Sequence, residues 1–346
     1  MNNIQTAIQS LSKKNNLSYD TAYQCMSEIM TGNATSVQMS AYLTALAMKG
    51  ETIDEITGSA AGMRSHCLRL LHDVEALEIV GTGGDGHDTF NISTTSAIIT
   101  AAAGVPVAKH GNRSASSKCG AADVLEALGV NINLSPEEAT KLLTNINICF
   151  LFAQNYHIAM KYVAPIRKEL KIRTVFNLLG PLTNPAGATM ELMGVYDKSL
   201  VEPLAQVMCN LGVKRAMVVH GLDGLDEISV TAPTYVCEVK EGWVKSYEIS
   251  PEDFGIERCQ MNDLKGGDPK ENAIILRNIL SGEKSPKRDA ALINTAAAIY
   301  ISGKYDNLQN AFKKAEQTLD SGKALLKLNE FIEQSAMLQN PTKSEA

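Results

Sequence analysis

Four stretches of the sequence carry residue types that could do chemistry. In the segment 78–95, EIVGTGGDGHDTFNISTT, an apolar run (76–80) ends in Gly81, Gly83, Gly84 and Gly86, with one acid, Asp85, among them. Asn91, Ser93, Thr94 and Thr95 follow, then a small-residue apolar segment over 96–104. This pattern predicts a strand, a glycine loop and a helix N-terminus. Glycines let backbone N–H groups approach an anion, and the helix start adds its dipole, so the segment suits a phosphate cradle. It is not a P-loop, because no GK[ST] follows at the required spacing. The formal G-x-G-x-x-G match lacks the acid a dinucleotide site needs for the ribose. An ordinary strand-to-helix turn is the plain alternative, and the polar run behind the glycines argues against it.

The second stretch is KHGNRSASS, residues 109–117: two cations, one histidine, one amide and three serines in nine residues. It starts where an expected strand over 105–108 ends, the sheet edge at which open α/β folds place ligands. It can hold a multiply charged anion; the alternative is a solvated basic loop. In the third stretch His157 precedes Arg167, Arg173 and the turn-forming NLLGP of 177–181. By spacing alone, Arg167 reads as a solvated or salt-bridged surface residue. The fourth, HGLDGLDEIS (220–229), puts Asp223, Asp226 and Glu227 on a glycine-containing loop after an apolar strand. Adjacent carboxylates suit Mg²⁺, which takes oxygen ligands and bridges to substrate phosphates; unliganded surface acids are the alternative. A glycine cradle, a Lys/Ser loop and a carboxylate pair together suggest a magnesium–pyrophosphate site.

Those residues need a scaffold, and the chain is long enough for one. Its 346 residues admit two domains, and 45% hydrophobic with 20% charged content is that of a soluble globular protein. A net charge of −6 argues against nucleic-acid binding through bulk charge. Seven scattered cysteines without a CxxC pair suggest neither a zinc site nor a disulfide framework and fit a reducing cytoplasm. A polar N-terminus without a signal-peptide core, and no run of membrane-spanning length, predict a soluble protein with no membrane partner. Trp243, the methionines, the cysteines, Leu125 and Leu128 read as packing residues.

Residues 1 to about 70 show helical periodicity. Ser18 and Ser36 are expected caps, Gly32 and Gly50 expected stops, and a fourth helix runs from Ile53 to about Cys67. Strands are expected over 77–80, 105–108, 148–152, 192–195 and 216–220. Helices are expected over 94–103, 121–128, 136–143 and 200–211, with a capping box at SPEE (135–138). A hairpin is expected over 235–249, then helices from 271 to about 335. The expected fold class is α/β: a small N-terminal helical domain (1–71, joined by helices from about 163–185) and a large domain (72–346) with a mostly parallel central sheet flanked by helices.

The motifs as a set resemble one family. GTGGDG-x-x-TFN-x-ST (81–94), KHGNR-x-x-SS-x-x-G-x-AD-x-LEALG (109–129), H-x-AMK (157–161), R-x-x-L-x-x-RT-x-FN-x-LGPLTNP (167–185) and the Asp226-Glu227 pair resemble the anthranilate phosphoribosyltransferases. The likeness covers nearly the whole chain in order. It implies transfer of a phosphoribosyl group from phosphoribosyl pyrophosphate to the amine of anthranilate, in tryptophan biosynthesis, by a cytoplasmic homodimer with two Mg²⁺ ions. By motif position it implies that Gly81, Gly83, Gly84, Asp85, Thr89, Asn91, Ile92, Ser93, Thr94, Lys109, His110, Gly111, Asn112, Arg113, Ser114, Ala115, Ser116, Ser117 and Ala121 hold phosphoribosyl pyrophosphate. It implies Ser93, Asp226 and Glu227 for Mg²⁺, and Gly81, His110, Asn112, His157 and Arg167 for anthranilate. It therefore overrides the surface reading of Arg167, since a buried carboxylate favours a planar two-pronged donor.

Two departures are visible: Ile158 stands where the family usually has proline, and Ala121 where many members have serine. They put in doubt the placement of the helix carrying His157 and one hydroxyl of the phosphate site. Two other classes remain as rivals. A pyrimidine nucleoside phosphorylase should lack the acceptor residues Asn112 and Arg167. A silent nucleic-acid-binding paralogue should be basic, with eroded motifs.

Overall fold

The structure is a computed structural model describing residues 2–114 and 117–339. Its first four helices are α1 (Asn3–Leu11), α2 (Tyr19–Met30), α3 (Ser36–Lys49) and α4 (Ile53–Arg64). Ser18 caps α2 as expected. Thr35, not Ser36, caps α3, because Thr35 closes a capping box with Gln38, three residues on. Thr52 and Glu55 make the same box on α4, which ends at Arg64, short of the expected Cys67. Glu55 is buried, and besides its box it accepts from Leu17 N at 2.8 Å and pairs with Lys49 at 2.8 Å.

The alternating part begins with β1 (Leu77–Gly81), α5 (Ile92–Ala102), β2 (Val107–Gly111), α6 (Ala121–Leu128), α7 (Pro136–Ile146) and β3 (Ile148–Phe152). A connecting segment of α8 (Ala153–Tyr156), a 3-10 turn (Ile158–Tyr162), α9 (Ala164–Leu170) and α10 (Phe176–Leu182) leads to β4 (Met190–Gly194). The turn expected over NLLGP (177–181) is instead part of α10; Pro181 is next to last in that helix, so its missing N–H forgoes only the bond to Asn177 O. Then come α11 (Val201–Asn210), β5 (Arg215–Gly221), the hairpin β6 (Thr234–Lys240) and β7 (Trp243–Ile249), and α12 (Pro269–Leu280), α13 (Pro286–Ile301), α14 (Leu308–Asp320) and α15 (Lys323–Gln339).

The strands form one sheet in the order β3-β2-β1-β4-β5-β6-β7, parallel through β5 and antiparallel in the last two pairs. Both faces are covered. One apolar core packs α5, α6, α7 and the C-terminal helices on the sheet. The other joins α1–α4 to Val163, Ile166, Phe176, Leu179 and α11 against Met193, Val195, Val218 and Val239. Strands buried on two faces read as unbroken apolar runs, as in ICFLF of β3. Glu78, Glu191, Lys109 and His110 break that rule, and all four are buried. Lys109 and His110 set the expected end of β2 at residue 108; it runs through Gly111, with Lys109 Nζ bonded to Ile79 O and His110 Nδ1 to Gly180 O. At the far edge β7 is exposed, and Trp243, expected to pack, is 81% exposed beside the hairpin turn.

Candidate active site

β1 pairs with β2 on one side and β4 on the other, so connections leave it in opposite directions and open a crevice at its C-terminal end. Three loops meet there. The glycine loop follows β1. At its base there is room only for hydrogen: a Cβ on Gly81 would meet the Asp226 carboxylate at 2.5 Å, and one on Gly194 would overlap the Asp226 carbonyl. Gly194, register partner of Gly81, lay inside the strand expected over 192–195 and gave no signal of its own in the sequence. Gly83, Gly84 and Gly86 have positive φ (72°, 81° and 79°), the left-handed region that favours glycine.

The carboxylates of the third loop both bond the connection from β1 to α5. Asp226 Oδ2 accepts from Gly83 N at 2.6 Å, and Glu227 Oε1 from Ser93 N at 3.1 Å. Lys109 Nζ donates to Ile79 O at 2.6 Å and to Ser93 Oγ at 3.2 Å, so Ser93 links the lysine to Glu227. Asp223 serves differently: it accepts from the hydroxyls of Ser229 and Thr231 and shapes the loop. Burial, then the neighbouring Asp85 and Glu227 charges, hold the Asp226 carboxyl well above its usual range. Burial likewise raises Glu227 to about 7, against the pull of Lys109, and burial lowers Lys109.

This donor set fits a hard divalent cation. Asp85 Oδ2 is buried with no hydrogen-bond partner among the described residues, and three acids share a pocket with one lysine. Among the described residues no three His, Cys, Asp or Glu side chains close around a single point. Mg²⁺ keeps waters and takes substrate oxygens, so a partial protein shell suits it.

Around the start of α5, Thr89 makes an antiparallel bridge with Lys265, and Asn91 Nδ2 donates to Cys119 O at 3.1 Å. Ile92 is buried, and Thr94 Oγ1 is buried without a partner among the described residues. After β2, Asn112 Oδ1 accepts from Arg113 N at 2.8 Å and Gln154 Nε2 at 3.4 Å. Arg113 does not face the crevice loops: its guanidinium forks onto Glu126 (2.8 and 3.1 Å), reaches Asp123 at 3.0 Å and lies over Phe152. Ser114 Oγ bonds Ser117 O, while Ala115 and Ser116 lie outside the described residues. Ala121 opens α6 against Gly111, where a Cβ would come within 3.1 Å of its methyl.

The connecting segment makes the opposite wall. His110 and His157 stack with centroids 5.1 Å apart. His110 Nδ1 lies 3.2 Å from Gly180 O, and a carbonyl only accepts, so that nitrogen carries the hydrogen. Burial lowers His110 to about 3 and His157 to about 4, and each leaves Nε2 buried and unpartnered among the described residues. Both rings are thus held neutral, and His110 Nε2 is an acceptor. Arg167 on α9 is half-buried over the Phe176 ring, with its centre 5.4 Å from the centroid, and burial lowers its pKa. That is not the solvated arginine its spacing suggested. Ile158 is exposed directly after His157. Arg173, which spacing gave no role, donates to Gly84 O at 2.7 Å from the face of Tyr196 and ties this wall to the glycine loop.

Comparison with known proteins decides the lineage. Residues 5–67 match the helical bundle domain, and 73–325 the a/b domain, of a glycosyl transferase family. The anthranilate phosphoribosyltransferase of Methanobrevibacter smithii is 63% identical over 95% of this chain and 98% of its own length. That of Lachnoclostridium phytofermentans is 59% identical over 96% and 99%. The chain belongs to the anthranilate phosphoribosyltransferase family. Among solved members, the Thermus thermophilus enzyme superposes with TM-score 0.91 at 41% identity, covering 97% of this chain and 100% of that one. The Saccharomyces cerevisiae enzyme, in complex with PRPP and Mg, superposes with TM-score 0.88 at 31% identity over 96% and 98%. Neither departure takes part in the carboxylate and glycine-loop hydrogen bonds described above: Ile158 is exposed and Ala121 packs on Gly111.

Proposed function

We propose that this chain transfers the 5-phosphoribosyl group of phosphoribosyl pyrophosphate to the amine of anthranilate, giving N-(5-phosphoribosyl)-anthranilate and pyrophosphate in tryptophan biosynthesis. The observation that carries this reading is the union, at one crevice, of glycine-loop amides, a buried lysine and two metal-competent carboxylates, with neutral histidines and an arginine opposite. The glycine loop, Asn91, Ser93, Thr94, Lys109 and the loop 111–117 hold the donor. Ser93, Asp226 and Glu227 hold Mg²⁺, two ions in the fullest form of the reading. Asn112 and Arg167 take the anthranilate carboxylate, and His110 and His157 line the ring and amine.

In the reaction the amine nitrogen forms its bond to ribose C1′ as the C1′–oxygen bond to pyrophosphate breaks, and the proton then lost from nitrogen goes to solvent. An aromatic amine is neutral at pH 7 with its lone pair available, so no side chain need remove a proton first. Bound Mg²⁺ supplies charge neutralisation for the leaving pyrophosphate. Lys109 adds a fixed donor for the same charge, while the Gly83 amide holds Asp226 in place. Arg167 and the histidine pair orient the nucleophile against C1′, which removes the entropy of encounter from the chemical step.

The division into a helical domain (1–71 with helices from about 163–185) and an α/β domain (72–346) is proposed on the same grounds, as are a homodimer and a cytoplasmic location. Among the described residues no helix is long and apolar enough to cross a membrane. The test follows anthranilate fluorescence with purified protein, phosphoribosyl pyrophosphate and Mg²⁺. Fluorescence should fall, and chelator should abolish the fall. Folded protein that leaves anthranilate unchanged sinks the reading, and phosphorolysis of pyrimidine nucleosides would then be assayed.

A further inference from the structure

Asn272, on α12, lies far in sequence from every motif above, yet it is buried against one of them. Three hydrogen bonds run in line through it. Asn91 Nδ2 donates to Cys119 O at 3.1 Å, Asn272 Nδ2 donates to Asn91 Oδ1 at 2.9 Å, and Gly267 N donates to Asn272 Oδ1 at 2.8 Å. The two ends are a backbone carbonyl and a backbone N–H, whose polarity cannot invert. Both amides between them are therefore fixed in orientation.

The bracing around this relay leaves little play. Phe90 N donates to Leu264 O at 3.0 Å and Gly266 N to Asp88 O at 2.9 Å, with the Thr89–Lys265 bridge between them. At Gly266 a Cβ would lie 2.5 Å from Asn272 Oδ1 and 2.8 Å from Phe90 Cα, so only glycine allows this approach. Asp268 caps α12 directly before Asn272. The segment 264–267 thus lies along 88–90 and delivers Asn272 to Asn91.

The consequence falls on α5. Asn91 precedes its first turn, where an asparagine side chain ordinarily accepts from the helix's own N–H groups. Here it makes no such bond. Asn272 has taken the carbonyl oxygen that would cap. Ile92 N and Ser93 N already bond Phe90 O and Glu227 Oε1, so the first-turn amide that Asn91 leaves uncapped is that of Thr94, and Asn91 keeps one N–H beyond the one given to Cys119.

We propose that Asn272 is a positioning residue for the phosphoribosyl donor: by holding the Asn91 carbonyl oxygen it makes Asn91 a pure N–H donor and keeps that oxygen off the Thr94 amide, so that both present N–H groups to phosphate. The inference rests on the donor reading of the Asn91 region. It predicts an order of effects that packing alone does not. Asn272→Asp keeps the shape but sets acceptor against acceptor at Asn91, so the Asn91 amide must flip, or swing over to cap α5. Asn272→Ala removes the bond without reversing polarity.

The experiment is steady-state kinetics of both variants with each substrate varied, alongside thermal melts with and without phosphoribosyl pyrophosphate. N272D should raise KM for phosphoribosyl pyrophosphate about tenfold, the size of one lost hydrogen bond to a charged group. N272A should raise it less, and KM for anthranilate should stay within about twofold of wild type in both. Less stabilisation by phosphoribosyl pyrophosphate should accompany the N272D change. Equal rises for both substrates, or a larger effect of alanine than of aspartate, would overturn the proposal. Should N272D fail to fold, N272A decides alone: a rise confined to phosphoribosyl pyrophosphate supports the relay, and an unchanged or shared rise overturns it. Wild-type protein that converts anthranilate secures the donor reading separately, so a failure confined to the variants falls on the relay; inert wild type overturns both.

Discussion

The two walls of the crevice are built on different principles. The wall we propose for the donor hangs on strand ends: β1, β2 and β5 each deliver one loop, and Gly83–Asp226, Ser93–Glu227 and Lys109–Ser93 bonds tie the three together. The acceptor wall hangs on short helices and a 3-10 turn between β3 and β4, and its key contacts are ring stacking, one carbonyl and one cation over an aromatic ring. A sheet edge places charged groups through backbone geometry. Short helices place theirs through the packing of Val163, Ile166 and Phe176 into the core below. The donor side should therefore fail all at once when a shared group is lost, and the acceptor side residue by residue.

The sharpest test of that contrast removes the shared carboxylates. Asp226→Asn with Glu227→Gln should cut kcat/KM at least about a thousandfold and leave the residual rate indifferent to Mg²⁺, read by titrating the metal against activity. Near-normal turnover would mean that the loops do not act as one unit. On the other wall, Arg167→Ala should raise KM for anthranilate about 10- to 100-fold, the range for a lost bond to a charged group, with KM for phosphoribosyl pyrophosphate little changed. Matching losses for both substrates would place Arg167 on the wrong wall.

The third test is pH. Glu227 is raised to about 7 from an ordinary carboxylate value. A raised folded value gives stability that is present in acid and lost as pH rises through about 7. Metal binding needs the ionised form and reverses that loss. Apparent Mg²⁺ affinity should thus tighten by up to about tenfold per pH unit between pH 6 and 7 and level off above, while the metal-free melting temperature falls over the same window. A flat Mg²⁺ affinity from pH 6 to 8 would remove Glu227 as a ligand. The smallest effect is expected at Arg113. Its charge is spent on exposed Glu126 and half-buried Asp123, so Arg113→Ala should change KM for phosphoribosyl pyrophosphate by no more than about threefold. A larger rise would show that the fork to α6 opens when donor binds.

The same contrast explains what the sequence made legible. Donor residues cluster in short runs because a loop and the helix behind it are contiguous, so the glycine loop, KHG and Asp226-Glu227 were visible as chemistry. Even there, β2 ran three residues past its expected end, since Lys109 looks like a loop residue until Ile79 O is found beneath it. The residues proposed for the acceptor on the segment between β3 and β4 gave no local pattern. Arg167 looked like surface because nothing in sequence announces that Phe176 lies under it, and only family resemblance assigned it. Gly194, Arg173 and Asn272 were missed for the same reason: each acts on a partner more than 30 residues away, Asp226, Gly84 and Asn91 respectively.

Trp243 has a practical consequence at the bench. It is the chain's single tryptophan, and it projects into water at the turn of the last hairpin, beyond the antiparallel edge of the sheet. An indole already bathed in solvent changes its emission little when the chain unfolds, so intrinsic fluorescence is a poor reporter of denaturation for this protein. The same placement leaves the optical window of anthranilate undisturbed by a nearby indole, and the substrate becomes the natural probe of its own pocket.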